Sequence, residues 1–120
     1  MSATVTRKGR EILVTISQTS VAAATELEIP LGITRGRLLR IIAAKTSGDA
    51  SNVDPLLGIS TNPTGVDVVF QQGTAAAEID NQIVGGASFS TTSGSLFYRP
   101  TPDSGTNNAV STTLHILVGW

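Results

Sequence analysis

The sequence contains no cysteine, so neither a disulfide framework nor a thiolate metal site is open to it. Aromatic residues are nearly as scarce: three Phe, one Tyr and one Trp in 120 residues. That is too few for the stacking platform on which a single-strand nucleic-acid binder lays successive bases, and no nucleic-acid partner is expected. Charged residues make up 14%, against roughly 25% in an average globular chain. No apolar run approaches the ~18 consecutive residues that would read as a membrane span, so no membrane partner is expected either. The opening MSATVTRKGR carries cations without an apolar stretch behind them, which predicts no secretory signal and assembly in the cytoplasm of the producing cell. Asn62 is followed by Pro63, which blocks its use as a glycosylation sequon.

What fills the space left by charge is Ser and Thr, 28 residues together. Such a surface suits exposed strand faces and turns rather than helices clothed in Glu and Lys. The length is that of one domain able to take about two thirds of its unfolded surface out of water. Strand patterns recur along it. Residues 11–17 put Ile12, Val14 and Ile16 on one face, and residues 25–30 set Leu27 and Ile29 inward with Glu26 and Glu28 outward before Pro30 closes the run. Residues 37–45 are apolar on both faces, which predicts a central strand covered on two sides. Residues 56–61, 66–71, 95–100 and 112–118 add four more, and clusters such as KTSGDASN, TNPTG, TTSG and TPDSGTNNA supply the turns. The expected fold is all-β: one antiparallel, jelly-roll-like β-sandwich of seven or eight short strands over residues 11–120, with residues 1–10 as an arm or an edge strand. The segment 74–84, TAAAEIDNQIV, reads either as a short helix near 74–82, capped by Thr74, or as a loop leading into an extended stretch.

The charges are unevenly distributed. Residues 1–45 hold seven cations and three carboxylates, whereas residues 46–120 hold one cation and six carboxylates. Either the halves stay apart in space and give a basic and an acidic patch, or the strands interleave and neutralise them locally.

Groups able to carry chemistry are few. The single histidine, His115, lies in mid-strand and reads as a sheet-face residue rather than a triad member or metal ligand. Glu26 and Glu28 share a face, as solvated acids that guard an edge strand commonly do. Asp49, Asn52 and Asp54 offer calcium-type oxygens, but the spacing is not that of an EF-hand and reads as a polar turn. The glycines of VGGAS are followed by no lysine and fit a bulge rather than a phosphate cradle. No catalytic residue, metal or cofactor is therefore assigned. The residues suited to binding are Arg7, Lys8, Arg10, Arg35 and Arg37, which flank flexible glycines and would suit an acidic protein neighbour. Phe97 and Arg99 join them, on the strand face opposite to Leu96 and Tyr98. Trp120 is added because an indole beside a chain-terminal carboxylate belongs at a margin, either the rim of the core or a subunit contact.

Two stretches taken together, RGRLLRIIAAKTSGDASNVDPLLGIST (residues 35–61) and IDNQIVGGASFSTTSGSLFYRPTPDSGTNNAVSTTLHILVGW (residues 79–120), carry a resemblance. In their order of a strand, a TSG-containing turn, an IDN segment, an LFYR strand and a last LHI strand, they resemble small β-sandwich structural proteins of tailed-bacteriophage virions, of the head-decoration (cement) or tail-accessory type. The resemblance implies a sandwich without enzymatic activity that covers or clamps neighbouring virion subunits, such as the major capsid protein. It also implies association with copies of itself, often as trimers, and a place in the virion. A carbohydrate-binding sandwich or a tail or baseplate accessory protein is the alternative.

Overall fold

A computed structural model describes residues 2–119. Among them the chain forms nine strands and one short 3-10 turn. The strands are β1 (Ser2–Lys8), β2 (Glu11–Val21), β3 (Leu27–Pro30), β4 (Arg35–Ser47), β5 (Leu56–Gly58), β6 (Val68–Gln71), β7 (Glu78–Ser90), β8 (Ser95–Arg99) and β9 (Asn108–Val118). They make two sheets, a larger one in the order β1-β2-β9-β4-β7 and a smaller one in the order β3-β8-β5-β6, with every neighbouring pair antiparallel. The fold is a β-sandwich. Apart from the β1–β2 and β5–β6 hairpins, each connection carries the chain from one sheet to the other.

Period-2 alternation explains the pairing. In β2, Ile12, Val14, Ile16 and Gln18 point inward and are buried while the residues between them are exposed. In β9, Val110, Thr112, Leu114 and Ile116 point inward and are buried, with half-buried or exposed residues between them. β8 faces them across the core with Leu96 and Tyr98, joined by Leu57 of β5 and Ile29 of β3. Taking each such side chain out of water contributes about 1.5–3 kcal/mol before ordering costs. A slip of one residue in any of these strands would turn its apolar set outward.

Two expectations from the sequence are corrected. Residues 78–90 are strand β7, not helix: Ile79 is buried against the core opposite Ala43, and the ladder to β4 starts at Glu78. Three alanines favour a helix by tenths of a kcal/mol each, and burial of Ile79 and Phe89 outweighs that preference. Nor is β4 covered on both sides. Its inward residues Leu38, Ile41 and Ala43 are fully buried, whereas Leu39, Ile42 and Ala44 lie half-buried on the outer face of the larger sheet.

A polar contact crosses the core. The Thr112 hydroxyl of β9 donates to the Tyr98 hydroxyl of β8 at 2.7 Å, with both residues buried. This ties the middle of the larger sheet to the middle of the smaller one. Burial pushes the phenol's pKa well above its ordinary value, and the Thr112 hydrogen bond only partly opposes that shift. On the outer side of the smaller sheet, residues 59–64 fold back over β5, and Pro63 packs so closely on Gly58 that a Cβ there would overlap its ring.

The phenol supplies a test. A raised folded-state pKa means that stability from this group is complete below the unfolded value of about 10 and is lost as pH rises beyond it, at up to about 1.4 kcal/mol per pH unit. Because Tyr98 is the sole tyrosine, its ultraviolet ionisation band should stay absent from the native protein above pH 10 and appear with unfolding. The Tyr98→Phe variant should lack this alkaline loss of stability. It should also cost about 1–3 kcal/mol at neutral pH, and less once Thr112→Val has removed the partner hydroxyl.

Candidate protein interface

The hairpin and the two central ladders bring the separated basic segments together. Lys8 lies opposite Glu11, Glu11 opposite Leu117, and Leu117 opposite Arg37, so these four form one row across the outer face of β1, β2, β9 and β4. Three strand spacings of about 4.8 Å place Lys8 and Arg37 some 14 Å apart. Arg10 occupies the β1–β2 turn, where its Nη2 donates to the Val118 carbonyl at 3.2 Å and its own carbonyl accepts from Val118 N at 2.7 Å. The Arg35 carbonyl accepts from Gly119 N at 2.9 Å. Arg7 bonds the Gly9 carbonyl at 3.2 Å, and Arg37 bonds the Gly85 carbonyl at 3.3 Å. Arg7, Lys8, Arg10, Arg35 and Arg37 thus gather at one end of the larger sheet, with Glu11 as the carboxylate among them.

The next row along the same face is Thr6, Leu13, His115, Arg40 and Gln82, followed by Thr4, Thr15, Thr113, Ile42 and Asp80. Arg40 makes a two-pronged bond to Asp80 at 2.8 and 2.6 Å. That bond lowers the Asp80 pKa and raises that of Arg40. His115 stands on the outer face, half-buried, beside a shallow groove of about 320 Å³ that Leu13, Leu39 and Thr6 also line. Among the described residues, no three His, Asp or Glu side chains converge as metal ligands would.

Most remaining carboxylates lie at the other end of the strands. Asp103 accepts from Ser51 N, Asn52 N and Asn52 Nδ2 at 3.0–3.3 Å. Desolvation would raise its pKa, but these bonds outweigh it and hold the carboxyl below the usual range. Asp54 accepts from Gly73 N at 2.9 Å, so the polar cluster after β4 is a set of linked turns. Glu78 begins β7 at this end as well. The chain is polarised along its strands, most cations towards the β1–β2 turn and most acids at the β4–β5 and β8–β9 loops, with Lys45 standing among the acids and Glu28 towards the basic end.

The other sequence-derived binding residues fall elsewhere. Phe97 and Arg99 do face away from Leu96 and Tyr98, but onto the outer side of the smaller sheet. There Arg99 Nη1 donates to Asn62 Oδ1 of the folded-back loop at 3.4 Å; Phe97 and Arg99 are half-buried and Asn62 is exposed. Neither shares a surface with the basic end. Trp120 lies outside the described residues. The last strand cannot add to a neighbour's sheet, because both edges of β9 are taken by β2 and β4. The glycines of VGGAS lie in a bulge of β7, where Ile83–Gly86 stand opposite the single residue Leu39 and leave Val84 fully exposed. Gly85 and Gly86 both take φ of 78°, a backbone that their lack of Cβ permits.

No protein-family model matches the chain, and no curated protein matches it. Among solved structures it is similar to a chain described as "Cyanophage Pam1 capsid asymmetric unit", with a TM-score of 0.42 and 13% sequence identity over 97% of this chain and 86% of that one.

The basic end should be detectable in isolation. Although its formal net charge is −1, the protein should be retained on a sulfonate cation exchanger at pH 7 and low salt. It should elute as the screening length falls to about 10 Å near 0.1 M. Lys8→Glu with Arg10→Glu should abolish retention with little change in thermal unfolding, since neither charge is buried.

Proposed function

We propose that this protein is a non-enzymatic structural protein of a tailed-phage particle, a capsid-decorating or cement subunit that acts through protein–protein contacts. Three lines support the reading. The first is the resemblance of residues 35–61 and 79–120 to virion sandwich proteins. The second is the topology: leaving β1 aside, the sheet orders β2-β9-β4-β7 and β3-β8-β5-β6 fit a jelly roll, an architecture used by viral shells and by lectins. Fold alone does not choose between those uses.

The observation that carries the reading is the third, the gathering of five cations at one end of an otherwise acidic chain. Such an end docks on an acidic surface, and the field between opposite charges sets both register and rate of encounter. A lectin reading would want exposed rings in line, whereas Phe97 is half-covered and Tyr98 is in the core.

Purified protein should co-sediment with undecorated shells of the producing phage, and binding should weaken steeply between low and physiological salt. Charge reversal at Lys8 and Arg10 should lower occupancy at least tenfold, an effect of about 1.4 kcal/mol. Binding that is indifferent to both salt and these substitutions would overturn the proposed contact. Absence of the chain from purified particles would overturn the virion role.

A further inference from the structure

A sandwich has sheet edges, and an edge left open is a template for another strand. Four strands lie at edges here: β1 and β7 in the larger sheet, β3 and β6 in the smaller. Three are blunted. β7 is broken by the Ile83–Gly86 bulge and carries Glu78 and Asp80. β3 is four residues long, ends at Pro30 and bears Glu28. β6 is also only four residues long.

β1 is neither short nor broken, and its two charges, Arg7 and Lys8, stand at one end and leave Ser2–Thr6 uncharged. Its seven residues run in unbroken register from Ser2 opposite Ser17 to Lys8 opposite Glu11. It has no proline and no bulge, and every residue but Ala3 is exposed. Its side towards the smaller sheet is not fully covered: Val5 is 36% exposed, an apolar side chain at the margin of the core.

We infer that β1 pairs with β1 of a second copy, antiparallel and centred on Val5, joining two larger sheets into one ten-stranded sheet across a two-fold axis. The strand is self-complementary in that register. Val5 meets the partner's Val5, Thr4 meets the partner's Thr6, and the small residues Ala3 and Ser2 face the partner's Arg7 and Lys8. The seven residues pair along their whole length, so the outward N–H and C=O groups of both edges are satisfied together. Like charges stay apart. Each Arg7 lies four residues along the strand from its counterpart, about 14 Å, beyond the ~8–10 Å over which exposed charges act at physiological salt. Because the contact is isologous it closes as a dimer, and the bulged β7 at the far side stops the sheet from growing into a fibre. The axis is two-fold, unlike the trimers common among the proteins that the sequence resembles. The inference rests on the sheet edge and not on the virion role.

The absence of cysteine makes the test clean. Under mild oxidation Val5→Cys should give a covalent dimer, whereas Thr15→Cys, one strand further in on the outer face, should stay uncrosslinked. In sedimentation velocity at sub-millimolar concentration the unmodified chain should run at twice 12.4 kDa. Val5→Lys, which sets two cations against each other, should lose the dimer and keep the wild-type circular dichroism. A wild-type chain that sediments as a monomer or a trimer would overturn the inference, as would a dimer that survives Val5→Lys. Shell binding, measured separately, reports on the basic end.

Discussion

The sandwich depends on one constraint, that the inner faces of its two sheets meet as largely apolar layers with the Thr112–Tyr98 hydroxyl pair linking them. Thr112 and Tyr98 can bond at 2.7 Å only if β9 and β8 each hold their own register, and those registers also put Leu114, Ile116 and Leu96 out of water. Misplacing either strand by one residue would expose the apolar set and strand a buried hydroxyl. Position and polarity are therefore fixed together, and the connections between sheets are bound to follow.

Everything offered to a neighbour is a consequence of that frame. With every second residue committed inward, the larger sheet presents an outer face of Ser, Thr and a few half-buried apolar side chains, with its cations at the β1–β2 turn. Hydrogen bonds from Arg10, Arg37 and the backbone at Arg35 hold those cations to strand ends rather than leaving them on loose loops. The Arg40–Asp80 pair sits farther along, so it does not neutralise the basic end. The smaller sheet contributes support: its outer side is roofed by residues 59–64, and Arg99 is engaged beneath them.

The alternation of Ile12, Val14 and Ile16, and of Leu114 and Ile116, made β2 and β9 legible in the sequence, because burial on one face imposes a period that local chemistry cannot hide. The stretch 78–90 was harder to read, since its identity as a strand is set by β4, more than thirty residues away, and not by the alanines that precede it. The charge polarity was half legible. Glu28 belongs to the basic half of the sequence but to the smaller sheet, with Glu26 just before it, while Glu78 and Asp80 belong to the acidic half but to the larger one. Only the folded topology exchanges them. Arg7, Lys8, Arg10, Arg35 and Arg37 were picked for their neighbours in sequence, and the β1–β2–β9–β4 ladder is what unites them. Phe97 and Arg99 carried no sign of the loop that covers them, because that loop packs through Pro63 and Gly58, a contact without a sequence signature.

A reconstruction of the assembled particle at side-chain resolution is the most direct measurement of whether shape and charge, rather than a reactive group, account for this protein. Shape and charge predict that each copy seats its Arg7–Arg10 and Arg35–Arg37 end against carboxylates of an adjacent shell protein. Density showing the acidic end seated on the shell, or the basic end free in solvent, would contradict it.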